Sequence, residues 1–386
     1  MSLPGGDMLE GQEPYRALYI HIPFCKSKCT YCDFASEAID KDDERIEAYI
    51  DDLILQIRQA SRADLLGSLE TVYIGGGTPT YIGNKQLSRL LYALSLSMHL
   101  TPEVECTLEV NPESLTEAMV KDLFALGVTR LSIGVQSFND ELLATLGRAH
   151  DAQTAKEAIR CAKVRFENIS IDLMCGLPNQ SMEVFLDSLK TDLDLGVSHI
   201  SIYPLTIEKG TPLSRLMERS LFPETEEELS DKAAEMMLEA QRLLEEQGYH
   251  RYEVASYALD GCECKHNKVY WTGKPYLGIG SAAVTMKQND QVRMRVCEGE
   301  VQETLDICEA RIEDLMLGMR MSRGVSRDQV EMVEASIPGT LATFQELEAN
   351  DYVFEEQARF KPTQKGWLWG NVLYGTILDL AAQHER

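Results

Sequence analysis

Apolar, β-branched runs recur through the first half of the chain, at Arg16–Ile22, Thr71–Ile74, Cys106–Val110, Arg130–Val135, Asn168–Met174 and His199–Tyr203. Between them the apolar positions switch to helical spacing, as in Asp42–Ala60, Lys85–Met98, Thr116–Leu126 and Ala152–Val164. Strands buried on both faces read as unbroken apolar runs, because neither face meets water. Six such strand–helix units in succession predict an α/β fold with a parallel sheet under helices, either a partial (β/α) barrel or a doubly wound sheet. In both, chemistry gathers beyond the C-terminal ends of the strands. The residues there are polar or glycine-rich: His21 to Cys25, Gly75 to Thr78, Glu109 to Pro112, Gln136 to Phe138, Asp172 through Gly176 to Pro178, and Tyr203 to Thr206.

The second half reads differently. Thr225–Gln247 has the spacing of a long acidic amphipathic helix, and residues 248–286 read as extended segments with turns. From about Leu305 come short helices, a Tyr352–Phe354/Ala358–Lys361 hairpin and a final apolar helix, the order of a small helical, winged-helix-like domain with a β wing. The expected division is a disordered leader at 1–14, a barrel with its extension at 15–297, and the C-terminal domain at 298–386.

Charge narrows the partners. The 386 residues carry 62 acidic and 37 basic side chains, a net charge of −25. Such a surface repels phosphate backbones and anionic membranes, so nucleic acid is not an expected partner. No run is apolar enough to span a bilayer, and the first residues lack the pattern of a signal peptide. The expected location is cytoplasmic, with any approach to the inner membrane peripheral and through partners. One stretch departs from the acidic trend: residues 248–297 hold seven basic and four acidic side chains, between two strongly acidic blocks.

Three of the ten cysteines fall together as Cys25, Cys29 and Cys32, a C-x3-C-x2-C loop directly after the first strand. Thiolates are the usual ligands of iron–sulfur clusters, and three on one loop can hold three irons of a [4Fe–4S] cube while leaving the fourth open. Zinc is the rival, although structural zinc sites ordinarily use two separated ligand pairs. A second constellation, Cys262-x-Cys264-x-His266, would share one face of an extended segment and suggests a small metal site.

The cysteine loop, with Gly75-Gly-Gly-Thr-Pro79 one unit later, resembles the radical S-adenosylmethionine (SAM) superfamily. That resemblance implies a partial (β/α)6 radical SAM barrel, a [4Fe–4S] cluster on Cys25, Cys29 and Cys32, and SAM on the open iron. Tyr19-Ile-His-Ile-Pro-Phe-Cys25, Glu109-Val-Asn-Pro112, Gly134-Val-Gln-Ser-Phe138 and Ile171-Asp-Leu-Met-Cys-Gly-Leu-Pro178 are similar to the oxygen-independent coproporphyrinogen III oxidase group. Carried over by motif, the resemblance implies SAM contacts from Tyr19, Tyr31, Gly76, Gly77, Thr78, Glu109, Gln136, Arg148 and Asp172.

Within that group the oxidase pattern continues with a further cysteine two residues on, where this chain has Phe34, and carries a longer segment before its first strand. Both departures, and the H-N-x-x-Y-W motif at His266–Trp271, resemble the heme chaperone branch, HemW. That branch implies heme as bound cargo with His266 as its ligand, imidazole being a common axial ligand. It also implies acceptor hemoproteins, an electron donor such as a flavodoxin or ferredoxin, and a homodimer as one role of the cluster. Oxidative decarboxylation of coproporphyrinogen III is the alternative activity. Lys265, Lys268 and Lys274, in the one cationic stretch, would favour heme propionates.

Overall fold

The computed structural model describes residues 5–98, 100–219 and 221–384. Its core is a run of strands and helices: β1 (Tyr15–Ile22), α1 (Glu44–Arg62), β2 (Leu66–Gly76), α2 (Asn84–Ser97), β3 (Leu100–Val110), α3 (Glu117–Ala125), β4 (Arg130–Gln136), α4 (Ala152–Lys163), β5 (Asn168–Cys175), α5 (Met182–Leu195) and β6 (His199–Pro204). Strands β1 to β6 pair in sequence order, all parallel. The sheet stays open. An antiparallel strand, β7 (Ser256–Ala258), pairs with β6 at one side, after the acidic helix α6 (Glu226–Glu246). At the other side β8 (Leu277–Ile279) pairs parallel with β1, after a short helix α7 (Lys265–Trp271). Of the two arrangements that the strand–helix alternation left open, this is the partial (β/α)6 barrel, the one the family resemblance implied.

The helices begin where side chains can replace missing backbone partners. Asp43 caps α1, Thr116 α3, Asp151 α4 and Ser181 α5, and Thr225 with Glu228 forms a capping box on α6. Their inner faces, such as Ile50, Leu53 and Ile57 of α1, are fully buried against strand residues such as Leu18, Ile20 and Ile74.

Beyond β8 the chain forms a meander of β9 (Val284–Gln288), β10 (Val292–Cys297) and β11 (Glu300–Asp306). The boundary expected at 297/298 therefore falls inside a hairpin; the meander ends where Asp306 caps α8 (Ile307–Gly318). Helices α9 (Arg327–Glu334) and α10 (Thr340–Ala349), the wing β12 (Val353–Glu356)/β13 (Arg359–Pro362), and α11 (Gly370–His384) complete a C-terminal unit with its own core around Ile312, Phe344, Phe360 and Ile377. The winged-helix-like expectation matches this order. The meander is tied to α8 by Arg293, which is 1% exposed and bonds Glu313 and Asp314, each at 2.6 Å.

Two local expectations change. Residues 5–14 lie along the meander, where Lys287 Nζ donates to the Asp7 carbonyl at 2.6 Å and Asn289 Nδ2 to that of Glu10 at 3.0 Å. They are not a disordered leader; residues 1–4 lie outside the described residues. Residues 265–271 form α7, not an extended segment. The Cys262–Cys264–His266 side chains therefore do not share one strand face. Among the described residues no three His, Cys, Asp or Glu side chains converge as a site for a single metal ion.

Candidate functional site

A cavity of about 420 Å³ opens at the C-terminal ends of the parallel strands. Every strand-end loop that the sequence marked as polar or glycine-rich contributes to it. The loop after β1 supplies Cys25, Cys29, Tyr31 and Cys32; β2 supplies Gly76, Gly77 and Thr78; β3 supplies Glu109 and Asn111. From β4 come Gly134 and Gln136, from β5 Asp172 and Met174, from β6 Ser201 and Tyr203, and Arg148 enters from the segment before α4.

The cysteine loop is pinned from below. His21 Nε2 donates to the Ala35 carbonyl at 2.8 Å, which obliges Nδ1, in the neutral ring, to accept from Tyr19 OH at 2.9 Å. Burial lowers the His21 pKa and keeps the ring neutral. Tyr19 thus does not line the cavity. Its ring stacks on Tyr73, 6.2 Å between centroids, and Tyr73 takes the lining position. Around the thiols, Thr78 Oγ1 lies 3.5 Å from Cys25 Sγ and Arg148 Nη1 lies 3.5 Å from Cys29 Sγ.

Glycine is required at Gly77 for reasons of space. A Cβ there would sit 2.8 Å from the Pro23 carbonyl and 2.9 Å from Cys25 Sγ, so any side chain pushes on the cysteine loop. At the end of β4 the register shifts between Gly134 and Gln136, and Gln136 adopts φ +67°, a left-handed conformation costly for a residue with a side chain. Such strain persists where the surroundings enforce it, and it clusters at functional sites.

Two carboxyls face the cavity with displaced pKa values. Glu109 Oε1 accepts from Tyr73 OH at 2.8 Å and Oε2 from the Gly76 N–H at 3.0 Å. Desolvation still dominates and pushes its pKa up to about 7. Desolvation also raises Asp172 to about 6, against the pull of Arg130. Arg148 Nη2 donates to Asn111 Oδ1 at 2.8 Å and to the Gly134 carbonyl at 2.6 Å, while its buried Nε has no partner among the described residues. Arg130, 2% exposed, likewise leaves Nε unpartnered. Arg130 and Arg148 line the cavity beside Glu109 and Asp172, so it presents groups of both charges, a set that suits a zwitterionic ligand.

The His266–Trp271 motif divides its residues. Asn267 lines the cavity, whereas His266 is fully buried between sheet and helix. Its Nδ1 bonds Thr71 Oγ1 and its Nε2 bonds Tyr270 OH, both at 2.9 Å, and its ring stacks on Tyr73 at 5.2 Å. Burial lowers its pKa to about 3, so the imidazole is neutral. In this arrangement neither nitrogen is free to bind iron. Trp271 donates through Nε1 to Glu253 Oε2 at 3.1 Å and lies against the C-terminal core.

Sequence reasoning missed Tyr73, Arg130 and the pinning role of His21, and marked Asn111 within its strand-end stretch without giving it a role. Arg130 carried a signal, a lone cation opening an apolar strand. Tyr73 carried none, because alternation within a fully buried strand does not mark which face meets a cavity.

Residues 19–191 match the model of the Radical SAM superfamily. The chain is 34% identical to the heme chaperone HemW of Lactococcus lactis, over 95% of this chain and 98% of that protein. It is 33% identical to that of Bacillus subtilis, over 94% and 99%. The fold also matches coproporphyrinogen III oxidase of Escherichia coli, a radical SAM enzyme, with a TM-score of 0.76 at 20% identity over 95% of this chain and 90% of that one.

The superfamily implies a [4Fe–4S] cluster with SAM, and the cavity fits both. A cubane places its thiolates on separate irons, so Cys25, Cys29 and Cys32 need only face one cavity and need not converge on a point. The Arg148 guanidinium and the carboxyls of Glu109 and Asp172, all lining the cavity, match a ligand with both charges. From the matched domain and the near-complete span of its relatives, this chain belongs to the heme chaperone HemW family within the radical SAM superfamily.

Proposed function

We infer that this chain binds heme and passes it to acceptor hemoproteins, with a SAM-liganded cluster as resident cofactor. The observation that carries this reading is the identity to heme chaperones over almost the whole of both chains. Phe34 supports it: the side chain is 66% exposed beside the cysteine loop, where the oxidase pattern has a further cysteine.

When bound, the cluster and SAM supply one-electron chemistry, fed by a flavodoxin- or ferredoxin-type donor. The chain's own part is to position. Cys25, Cys29 and Cys32 hold the cluster; Tyr31, Gly76, Gly77, Thr78, Gln136 and Arg148 surround SAM; Glu109 and Asp172 accept its donors. Tyr19 acts one layer behind, through His21 and Tyr73.

His266 enters as a latched heme ligand. Thr71 Oγ1 occupies Nδ1, so iron can bond that nitrogen only when the hydroxyl lets go. A buried hydrogen bond contributes about 1 kcal/mol net, so Thr71→Val is expected to tighten hemin binding roughly fivefold. His266→Ala is expected to lose the Soret shift on hemin addition. An unchanged shift in His266→Ala removes His266 as the ligand, and weaker binding by Thr71→Val removes Nδ1 as its coordinating nitrogen. No shift with wild-type protein removes the chaperone reading. Protoporphyrinogen formed anaerobically from coproporphyrinogen III with reductant and SAM would establish the oxidase instead.

A further inference from the structure

A second cavity, of about 480 Å³, lies at the opposite, N-terminal end of the strands. Its walls come from three separate parts of the chain. Arg16 and Thr71 belong to β1 and β2, Lys265 and Lys268 to α7, Lys274 follows α7, and Arg323 belongs to the C-terminal unit. Five cationic side chains meet here against two carboxylates, Glu70 and Glu103, in a chain of net charge −25.

The cations are not all spoken for. Arg16 pairs with Glu70 at 2.7 Å and Lys268 with Glu263 at 2.7 Å, while Lys265 Nζ donates to the Glu103 carbonyl at 3.1 Å. Among the described residues Lys274 and Arg323 have no carboxylate within 4.0 Å. Desolvation and then the Arg359 guanidinium hold the Arg323 pKa below its usual range, so this corner lacks an anion. Like charges gathered from distant segments cost stability unless a ligand offsets them.

The cavity is also next to the heme motif. Helix α7 stands between the two cavities, with Asn267 on the cluster side and Lys265 and Lys268 on the cationic side. Thr71, which lines the cationic cavity, is the residue bonded to His266 Nδ1. Thr71 thus belongs both to the wall of the cationic cavity and to the bond that occupies the imidazole.

Building on the heme reading above, we propose that this cavity binds the dicarboxylate edge of a tetrapyrrole, with Lys274 and Arg323 as the principal partners of its propionates. Free phosphate could offer similar dianionic chemistry, and the test separates the two.

The probes are hemin, its dimethyl ester and inorganic phosphate, titrated into full-length reconstituted protein at low and high salt. Wild type is expected to bind hemin about tenfold more tightly than the ester, with affinity falling as salt rises. Lys274→Glu/Arg323→Glu is expected to bind hemin about tenfold more weakly, to lose the preference over the ester, and to lose the salt dependence. Unchanged cluster absorption and circular dichroism show that the variant is folded. If wild type binds hemin and the variant matches it in affinity and salt response, the cavity assignment is overturned while the heme reading stands. If wild type binds no hemin, both fall. Displacement of hemin by phosphate alone, together with ester binding equal to hemin, makes this a small-anion pocket and also overturns the assignment.

Discussion

Cys29→Ala protein, reconstituted anaerobically with iron and sulfide, is expected to come out without the brown iron–sulfur absorption. Cys25→Ala and Cys32→Ala should do the same. Among the described residues three protein thiolates face the cavity, so losing one leaves two irons of the cube without protein ligands. The other cysteines serve as the control. Cys106, Cys175 and Cys264 are buried away from the loop and behave as small apolar side chains, so Cys106→Ala should keep the colour. SAM binding should fall with the cluster, since the open iron disappears. Iron-to-protein ratio and absorption spectra of the variants decide the matter; a full chromophore in all three loop variants refutes the ligand assignment.

Glu109→Gln is expected to trade binding for stability. The Glu109 pKa is raised from 4.5 to about 7 in the folded chain, mainly by desolvation. Between those values the folded form holds a proton that the unfolded form has released, so stability without SAM falls as pH rises through that window and is lowest above it. Asp172, raised from 3.8 to about 6, adds in the same direction. A neutral amide removes the Glu109 share. At pH 8 the variant without SAM should therefore gain about 2 kcal/mol, less than the full shift implies because the side chain is partly open to the cavity. The amide can still bond Tyr73 OH and the Gly76 N–H, so local geometry survives. SAM affinity should drop roughly 100-fold, the worth of a charge-assisted hydrogen bond in a desolvated site. Urea denaturation at acid and alkaline pH, with calorimetric SAM titration, checks both halves. A variant that keeps the wild-type pH slope and binds SAM normally contradicts the assignment.

The parallel sheet was legible because strands buried on both faces leave long apolar runs; that it is a partial barrel came from the family resemblance. All six runs lie within observed strands, with ends displaced by a few residues where β2 and β3 extend earlier than their apolar cores. The place of the cysteine loop at the cavity was legible from three cysteines directly after the first strand, and the cavity from polar strand ends. What the chain did not disclose locally was α7. Val269, Tyr270 and Trp271 favour extended structure, and Cys264 supplies no side-chain cap. The missing acceptor comes from β3: Glu105 Oε2 accepts from the Lys265 N–H at 2.9 Å and Oε1 from the His266 N–H at 3.1 Å. No window of sequence around residue 265 contains that information. The same distance hid the burial of His266, whose partner Thr71 lies in β2.

That borrowed cap has a kinetic consequence. A seven-residue helix is too short to hold itself in water, and this one lacks its own N-terminal acceptor. It can settle only after β3 has joined the sheet and brought Glu105 into position. The segment bearing Asn267, Lys265 and Lys268 is thus among the last parts of the barrel to order, and both cavities gain a wall in the same late event. The strand-end cavity takes only Asn267 from this helix, whereas the cationic cavity takes Lys265, Lys268 and Val269. A fault in the borrowed cap therefore reaches the cationic cavity before it reaches the cavity of the cysteine loop.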